Sequence, residues 1–252
     1  MHKLLLTALL GGICLVSLPQ GRADDSEAKT VIDKAIKAHG GEDVLVKVLQ
    51  ARIKSKGTMV LMGMNVAFTS DLICQLPKKS KQTFTLQAGD QKITMVQVVS
   101  GSKAWVVAGG ETKDIEGDEL KALREDNFAN HVESLVPLLK DKDFTLSSIA
   151  EAKVNGKPAA GVKVKAKDHK DVDLYFDKET GFLVRVVRDA YNPETMKEAV
   201  SEIVYSDFKD FSGVKQPVKA RLSRDGKKFA DVEVTNLQLL DKVNPNEFTK
   251  SF

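Results

Sequence analysis

Asp168, His169, Asp171, Asp173 and Asp177 bring oxygen and imidazole donors close together in a 252-residue chain, a composition suited to a divalent cation. Three of the five fall on one side of an alternating strand, where hydrated carboxylates need no ion, so no metal is expected. His39 and His131 lie far from His169 and from each other, with no cysteine or carboxylate at ligand spacing. The chain contains no His-Glu-x-x-His helix, no Cys-x-x-Cys pair and no Gly-x-Ser-x-Gly elbow. His39-Gly40-Gly41 has the composition of an esterase oxyanion loop, but it stands where a helix should stop and reads as a cap. Cys74 alternates with Leu72 and Leu76 and reads as a small buried hydrophobe. With no convergent acid, base or nucleophile, the expectation is a protein that is not an enzyme and carries no cofactor.

Binding is the chemistry the remaining residues suit. From Gly57 to Val107 apolar side chains recur at every second position, the period of a half-buried sheet. Val60, Met62, Met64, Val66 and Phe68 read as one face, with Phe84 and Met95 following on later strands. Methionine adapts to varied apolar partners, and Trp105 combines an apolar body with a polar tip suited to a cavity mouth. Val60, Met62, Met64, Val66, Phe68, Phe84, Met95 and Trp105 are therefore the candidate lining or rim of an apolar cavity. The methionines at 59, 62, 64 and 95 serve equally well as core filling.

The elements that must position these residues follow from spacing. Asp25 to His39 reads as an amphipathic helix stopped by Gly40 and Gly41, with a short second helix over Glu42 to Leu49. Five strands are expected between Arg52 and Val107, the passage Gly63 to Asn65 being either a turn or a bulge. A helical block over Asp118 to Lys140 separates them from a second run of strands between Val162 and Leu240, where Asp225-Gly226 marks a hairpin. Roughly ten antiparallel strands approach the limit at which an open sheet curls. The expected fold is mainly β (α+β): a strongly curved antiparallel sheet forming an incomplete β-barrel, with the helices covering its apolar concave face.

The ends place the chain. A basic start, the fifteen-residue apolar run Leu4 to Leu18 and the small residues around Ala23 read as a cleaved signal peptide, residues 1–23. The run is too short for a membrane span, and nothing after it approaches the roughly 20 apolar residues one needs. Ile13 precedes Cys14 where lipid attachment wants a small residue. Removing Lys3 and Arg22 leaves 36 basic residues against 35 acidic, so net charge falls from +3 to +1 and nucleic acid is not an expected partner. Residues 24–252 have no Ser/Gly/Pro-rich linker and are expected to form a single domain. Cys74, the one cysteine left, can form no internal disulfide.

Leu76-Pro77-Lys78-Lys79-Ser80-Lys81, Val98-Val99-Ser100-Gly101-Ser102-Lys103-Ala104-Trp105, Tyr175-Phe176-Asp177-Lys178-Glu179-Thr180-Gly181 and the tail Asn244 to Phe248 occur in the order found in LolA-like proteins of the bacterial envelope. Together with the exported N-terminal helix, they make most of the chain resemble that group of outer membrane lipoprotein-sorting proteins. The resemblance implies a half-barrel with a helical lid, periplasmic location, and lipid or lipoprotein acyl chains as partners. It equally admits an envelope sensor or protein-interaction module of the RseB-like kind, with a filled core and an envelope protein as partner. Leu76 and Ser80 stand where the dedicated carrier has an arginine and an aromatic residue, so that carrier's handover residues have no counterpart here.

Overall fold

Alternating apolar and polar residues build two runs of antiparallel hairpins in the computed structural model, which describes residues 21–192 and 194–250. The first run is β1 (Gln50–Leu61), β2 (Met64–Gln75), β3 (Lys79–Ala88), β4 (Gln91–Ser100), β5 (Lys103–Ala108) and β6 (Glu111–Ile115). The second is β7 (Phe144–Val154), β8 (Lys157–Ala166), β9 (Val172–Asp177), β10 (Leu183–Asn192), β11 (Lys197–Phe211), β12 (Val214–Arg224) and β13 (Lys227–Leu239). β1 pairs with β13, Ala51 opposite Leu239 and Met59 opposite Ala230. That pairing joins both runs into one 13-stranded sheet, in the order β6-β5-β4-β3-β2-β1-β13-β12-β11-β10-β9-β8-β7. β6 and β7 are the two edges and do not meet, so the barrel is incomplete.

The helices cover the concave side over β7 to β10, and one of them also packs on β4 to β6. α1 (Gly21–Ala38) buries Ala28, Ile32, Ala35 and Ile36, one stripe at helical spacing. They share a core with Leu146, Val162, Val164, Leu174 and Phe176 of the sheet, and with Phe128, Val132 and Leu138 from α3 (Gly117–Glu133) and α4 (Pro137–Lys140). α1 ends as its glycines require: Gly41 N–H bonds back to Ile36 O at 2.9 Å, and Gly40 and Gly41 adopt φ of 121° and 88°. α2 (Glu42–Leu45) and a 3-10 turn (Val46–Leu49) lead into β1.

His39 fastens this helix end to the sheet. Its Nδ1 lies 2.6 Å from Lys215 O and its Nε2 accepts the Leu183 N–H at 3.0 Å, so the neutral ring donates from Nδ1. Burial holds its pKa below the ordinary value, the direction this neutral role requires, against the smaller opposing effect of the Lys215 bond. The Asp177–Gly181 turn supports the same helix: Asp177 Oδ1 accepts from Thr180 N at 2.8 Å and from Thr180 Oγ1 at 3.0 Å. Gly181 in that turn leaves just enough room for Ala38.

One feature departs from the expectation, one open alternative is decided, and the tail adds a contact the spacing did not show. Thirteen strands form rather than about ten, because the polar edge strand β6 and the bulged β7 lack a clean apolar alternation. Gly63 to Asn65 is no bulge: Met62 and Gly63, both at positive φ, form a two-residue turn in which Leu61 pairs with Met64. The C-terminal tail folds onto the convex face, where Val243 and Phe248 pack with Val98 and Trp105. The expected signal peptide lies outside the described residues, apart from its last three positions, which open α1.

Candidate functional site

Residues directly opposite each other in an antiparallel sheet point to the same side, so register assigns every side chain to a face. On the concave face one row runs Ile203, Leu222, Ala230, Met59, Val66 across β11, β12, β13, β1 and β2. The next runs Val232, Gly57, Phe68, Leu86, Ile93 across β13 to β4, and Phe84 opposite Met95 adjoins it. Phe68 and Phe84 stack with ring centroids 4.8 Å apart, and the Phe68 ring lies on Gly57, where a Cβ would come within 3.0 Å of it. Most of this strip belongs to none of the three hydrophobic clusters that helices or tail complete. Met64 is 64% exposed and Ile93 47%, and Met59, Val66, Phe84 and Met95 are half-buried. Phe68, Leu86 and Ala230 within the strip are buried, and the partly exposed apolar side chains around them form the kind of patch that marks an interaction site.

Polar residues bound the strip. Ser55, Ser70, Gln82 and Gln97 form a diagonal band, in which Gln82 Nε2 donates to Ser70 Oγ at 3.0 Å. Below the band the face is closed, with Val99, Ala104 and Ile115 packed against Leu120 and Leu123 of α3. Cys74 is buried in that lower region, and burial raises its thiol pKa, the opposite of what a reactive thiolate needs. The hollow beside the end of α1, lined by His39, Leu45, Glu133, Leu183 and Tyr205 among others, holds only about 80 Å³, and a hollow of about 290 Å³ lies between α3 and β10, beside Glu125, Lys170 and Arg188. Ligand pockets run to roughly 300–1,000 Å³, so the core under α1 is filled. A hollow of about 610 Å³ is lined by Lys56, Lys219, Arg221, Asp231 and Glu233, which register turns to the other face, together with Gly57, Phe68, Ala220 and Val232 of the concave rows.

Met64, Val66, Phe68, Phe84 and Met95 of the eight candidate residues therefore share the concave strip. Val60 does not: it pairs with Asn65 on the opposite face, so the single face read from Val60 to Phe68 is corrected to two. Met62 sits at the turn apex, 86% exposed. Trp105 pairs with Val98 on the convex side and is covered by the tail. Met59, Leu86, Ile93, Ile203 and Leu222 complete the strip without having been singled out as lining. The aspartates near His169 do not converge: Asp173 pairs with Lys163 at 2.5 Å and Asp171 with Lys165 at 3.4 Å. His169 Nδ1 meets Glu125 Oε1 at 2.9 Å, and among the described residues no three such side chains are arranged to hold a metal.

One ionisable pair lies half-buried on the concave side, beside the small hollow at the end of α1. Tyr205 OH donates to Glu133 Oε2 at 2.5 Å. Burial raises the Glu133 pKa above the ordinary carboxylate range, against the opposing effects of the Tyr205 bond and the Arg188 charge. Burial, and then the Glu133 charge, push Tyr205 well above 10.0. A carboxyl with a raised folded-state pKa binds its proton more tightly when folded, so stability falls as pH rises from the unfolded pKa of about 4.3 through the raised one. Glu133→Gln should remove that fall. The stability difference between variant and wild type, from urea midpoints at successive pH values, is expected to move in the variant's favour across this window and then level off. Both proteins share His39 and His131, whose lowered pKa values act in the opposite direction and cancel in the difference. A difference independent of pH would refute the assignment.

An incomplete antiparallel barrel, helices over half of its concave face and an open apolar strip over the other half, defines the class of scaffold. More particularly, the fold is LolA-like. It is similar to a LolA superfamily protein from Nitrosomonas europaea, with TM-score 0.58 and 12% identity over 88% of this chain and 97% of that one. It is similar also to a putative outer membrane lipoprotein-sorting protein domain from Vibrio parahaemolyticus, with TM-score 0.53 and 8% identity over 89% and 97% of the two chains. A DUF1329 family protein from Desulfovibrio piger aligns with TM-score 0.55 and 12% identity over 88% and 97%. No family model and no curated protein matches the sequence.

Proposed function

We propose that residues 24–252 form one half-barrel domain, exported to the bacterial periplasm, which binds lipid or lipoprotein acyl chains without catalysis. The observation that carries this reading is the strip around Met59, Val66, Phe68, Phe84 and Met95, apolar and left uncovered by helices, beside a core under α1 that is already filled. Each methylene transferred from water to this surface contributes about 0.8 kcal/mol, so an acyl chain gains affinity from contact alone. Val60 and Trp105 are left out of the binding set and Met59, Leu86 and Ile93 are added. No helix among the described residues is long and apolar enough to cross a membrane. Purification of the full-length product from an exporting host, followed by solvent extraction and mass spectrometry, is expected to yield co-purifying lipid. Protein that is lipid-free and fails to bind a fluorescent fatty acid would overturn the proposal.

The filled helical core favours one second reading, an envelope sensor or interaction module. A protein partner that co-purifies stoichiometrically while lipid is absent is the result that would select it.

A further inference from the structure

The apolar strip ends in positive charge. Arg188, Ser201 and Arg224 lie side by side on β10, β11 and β12, one row beyond Val186, Ile203 and Leu222 on the same face. Two residues along a strand span about 6.8 Å, so both guanidinium groups are within side-chain reach of the strip's end. Arg188 is held by Asp126 of α3 at 2.5 Å, and its Nε is buried without a partner. Arg224 stacks over the Phe229 ring at 3.6 Å, and among the described residues no carboxylate comes within the 4.0 Å of an ion pair with it. Glu194 and Asp126 act on it only at longer range, and burial together with the Arg188 charge lowers its pKa, although an arginine remains protonated at any ordinary pH. Stacking fixes the plane of this guanidinium and leaves its donors free to form a bidentate pair with an anion.

Strip and charge together describe an amphiphile. Five strand spacings of about 4.8 Å separate β12 from β4, about 24 Å along the face. One acyl chain fills half of a hydrocarbon core about 30 Å thick, or about 15 Å, so the strip accommodates a full chain starting at Arg224. We propose that the ligand is a lipid with an anionic head, its carboxylate or phosphate seated at Arg224 and its chain running over Leu222, Met59 and Phe68 toward Met95. This inference rests on the proposed acyl-chain binding and adds the headgroup and the direction of the chain.

Palmitate and the uncharged alcohol of the same chain length separate the two claims, each measured by displacement of a fluorescent fatty acid from the wild-type protein and from Arg224→Gln. Wild type is expected to prefer palmitate by tenfold or more, a preference reduced by added salt, and Arg224→Gln to weaken palmitate by about tenfold while leaving the alcohol unchanged. Equal binding of both compounds by wild type, or an equal loss of both in the variant, overturns the headgroup assignment and leaves acyl binding standing. Binding of neither compound overturns acyl binding itself. If Arg224→Gln does not fold, wild-type preference and its salt dependence decide the matter, and Arg224→Lys, which keeps the charge, is expected to retain most of the preference.

Discussion

Gly40→Ala is expected to destabilise the protein by about 3–5 kcal/mol, the sum of backbone strain and a steric conflict that has no local solution. Gly40 sits at φ 121°, where a side chain is strained, and a Cβ there would lie 2.1 Å from the Gly213 carbonyl oxygen. The neighbouring atoms are backbone, so relief requires the end of α1 to move away from β12. That movement breaks the Lys215 N–H to His39 O bond and both ring bonds of His39, about 1 kcal/mol each before any buried group is left unpaired. Gly41→Ala supplies the control: its φ is also positive, at 88°, but no atom lies within 4 Å of the added Cβ, so only backbone strain of about 1–2 kcal/mol is expected. Urea midpoints of the two variants decide the point. Equal losses would show that close approach of helix and strand does not anchor the lid.

His39-Gly40-Gly41 also shows how far local sequence reasoning reaches. The cap was legible because helical spacing over Ala28, Ile32, Ala35 and Ile36 stops at two glycines, and both the spacing and the stop are local signals. The Asp225-Gly226 hairpin was legible for the same reason, and both residues take positive φ. The contact with Gly213 was not, since it joins positions far apart in the chain. β6 was illegible because Glu111, Thr112, Lys113 and Asp114 are exposed, and pairing with β5 is what makes them a strand.

Face assignment failed for a more instructive reason. Apolar residues at 60, 62, 64, 66 and 68 keep period two without interruption, yet a two-residue turn intervenes at Met62-Gly63. Residues flanking such a turn, Leu61 and Met64, share a face although their numbers differ by three, so parity inverts across it. Trp105 lands on the convex side by the same register, and its cover, Val243 and Phe248, comes from the far end of the chain. Arg188 and Arg224 meet only because both strands pair with the strand carrying Ser201.

The inversion makes Met59 and Val60 a sharp test of the binding surface, because neighbours on one strand point to opposite sides. Met59 stands in the middle of the concave row between Ala230 and Val66, while Val60 pairs with Asn65 on the convex side. Met59→Asp places a carboxylate where the acyl chain would lie. Covering that charge with hydrocarbon costs several kcal/mol, so apolar ligand binding should fall by about 100-fold or more. Both side chains are only half-buried, so neither substitution leaves a large void in a packed core, and both variants should fold. Val60→Asp, with the same added charge one residue away, is expected to change binding by less than about twofold, the range of an ordinary surface substitution. Displacement of a fluorescent fatty acid from the two variants reads the contrast directly. Equal losses would indicate a general effect of charge, and a loss confined to Val60→Asp would place the ligand on the convex face. A loss confined to Met59→Asp locates the chain on the strip that helices leave open.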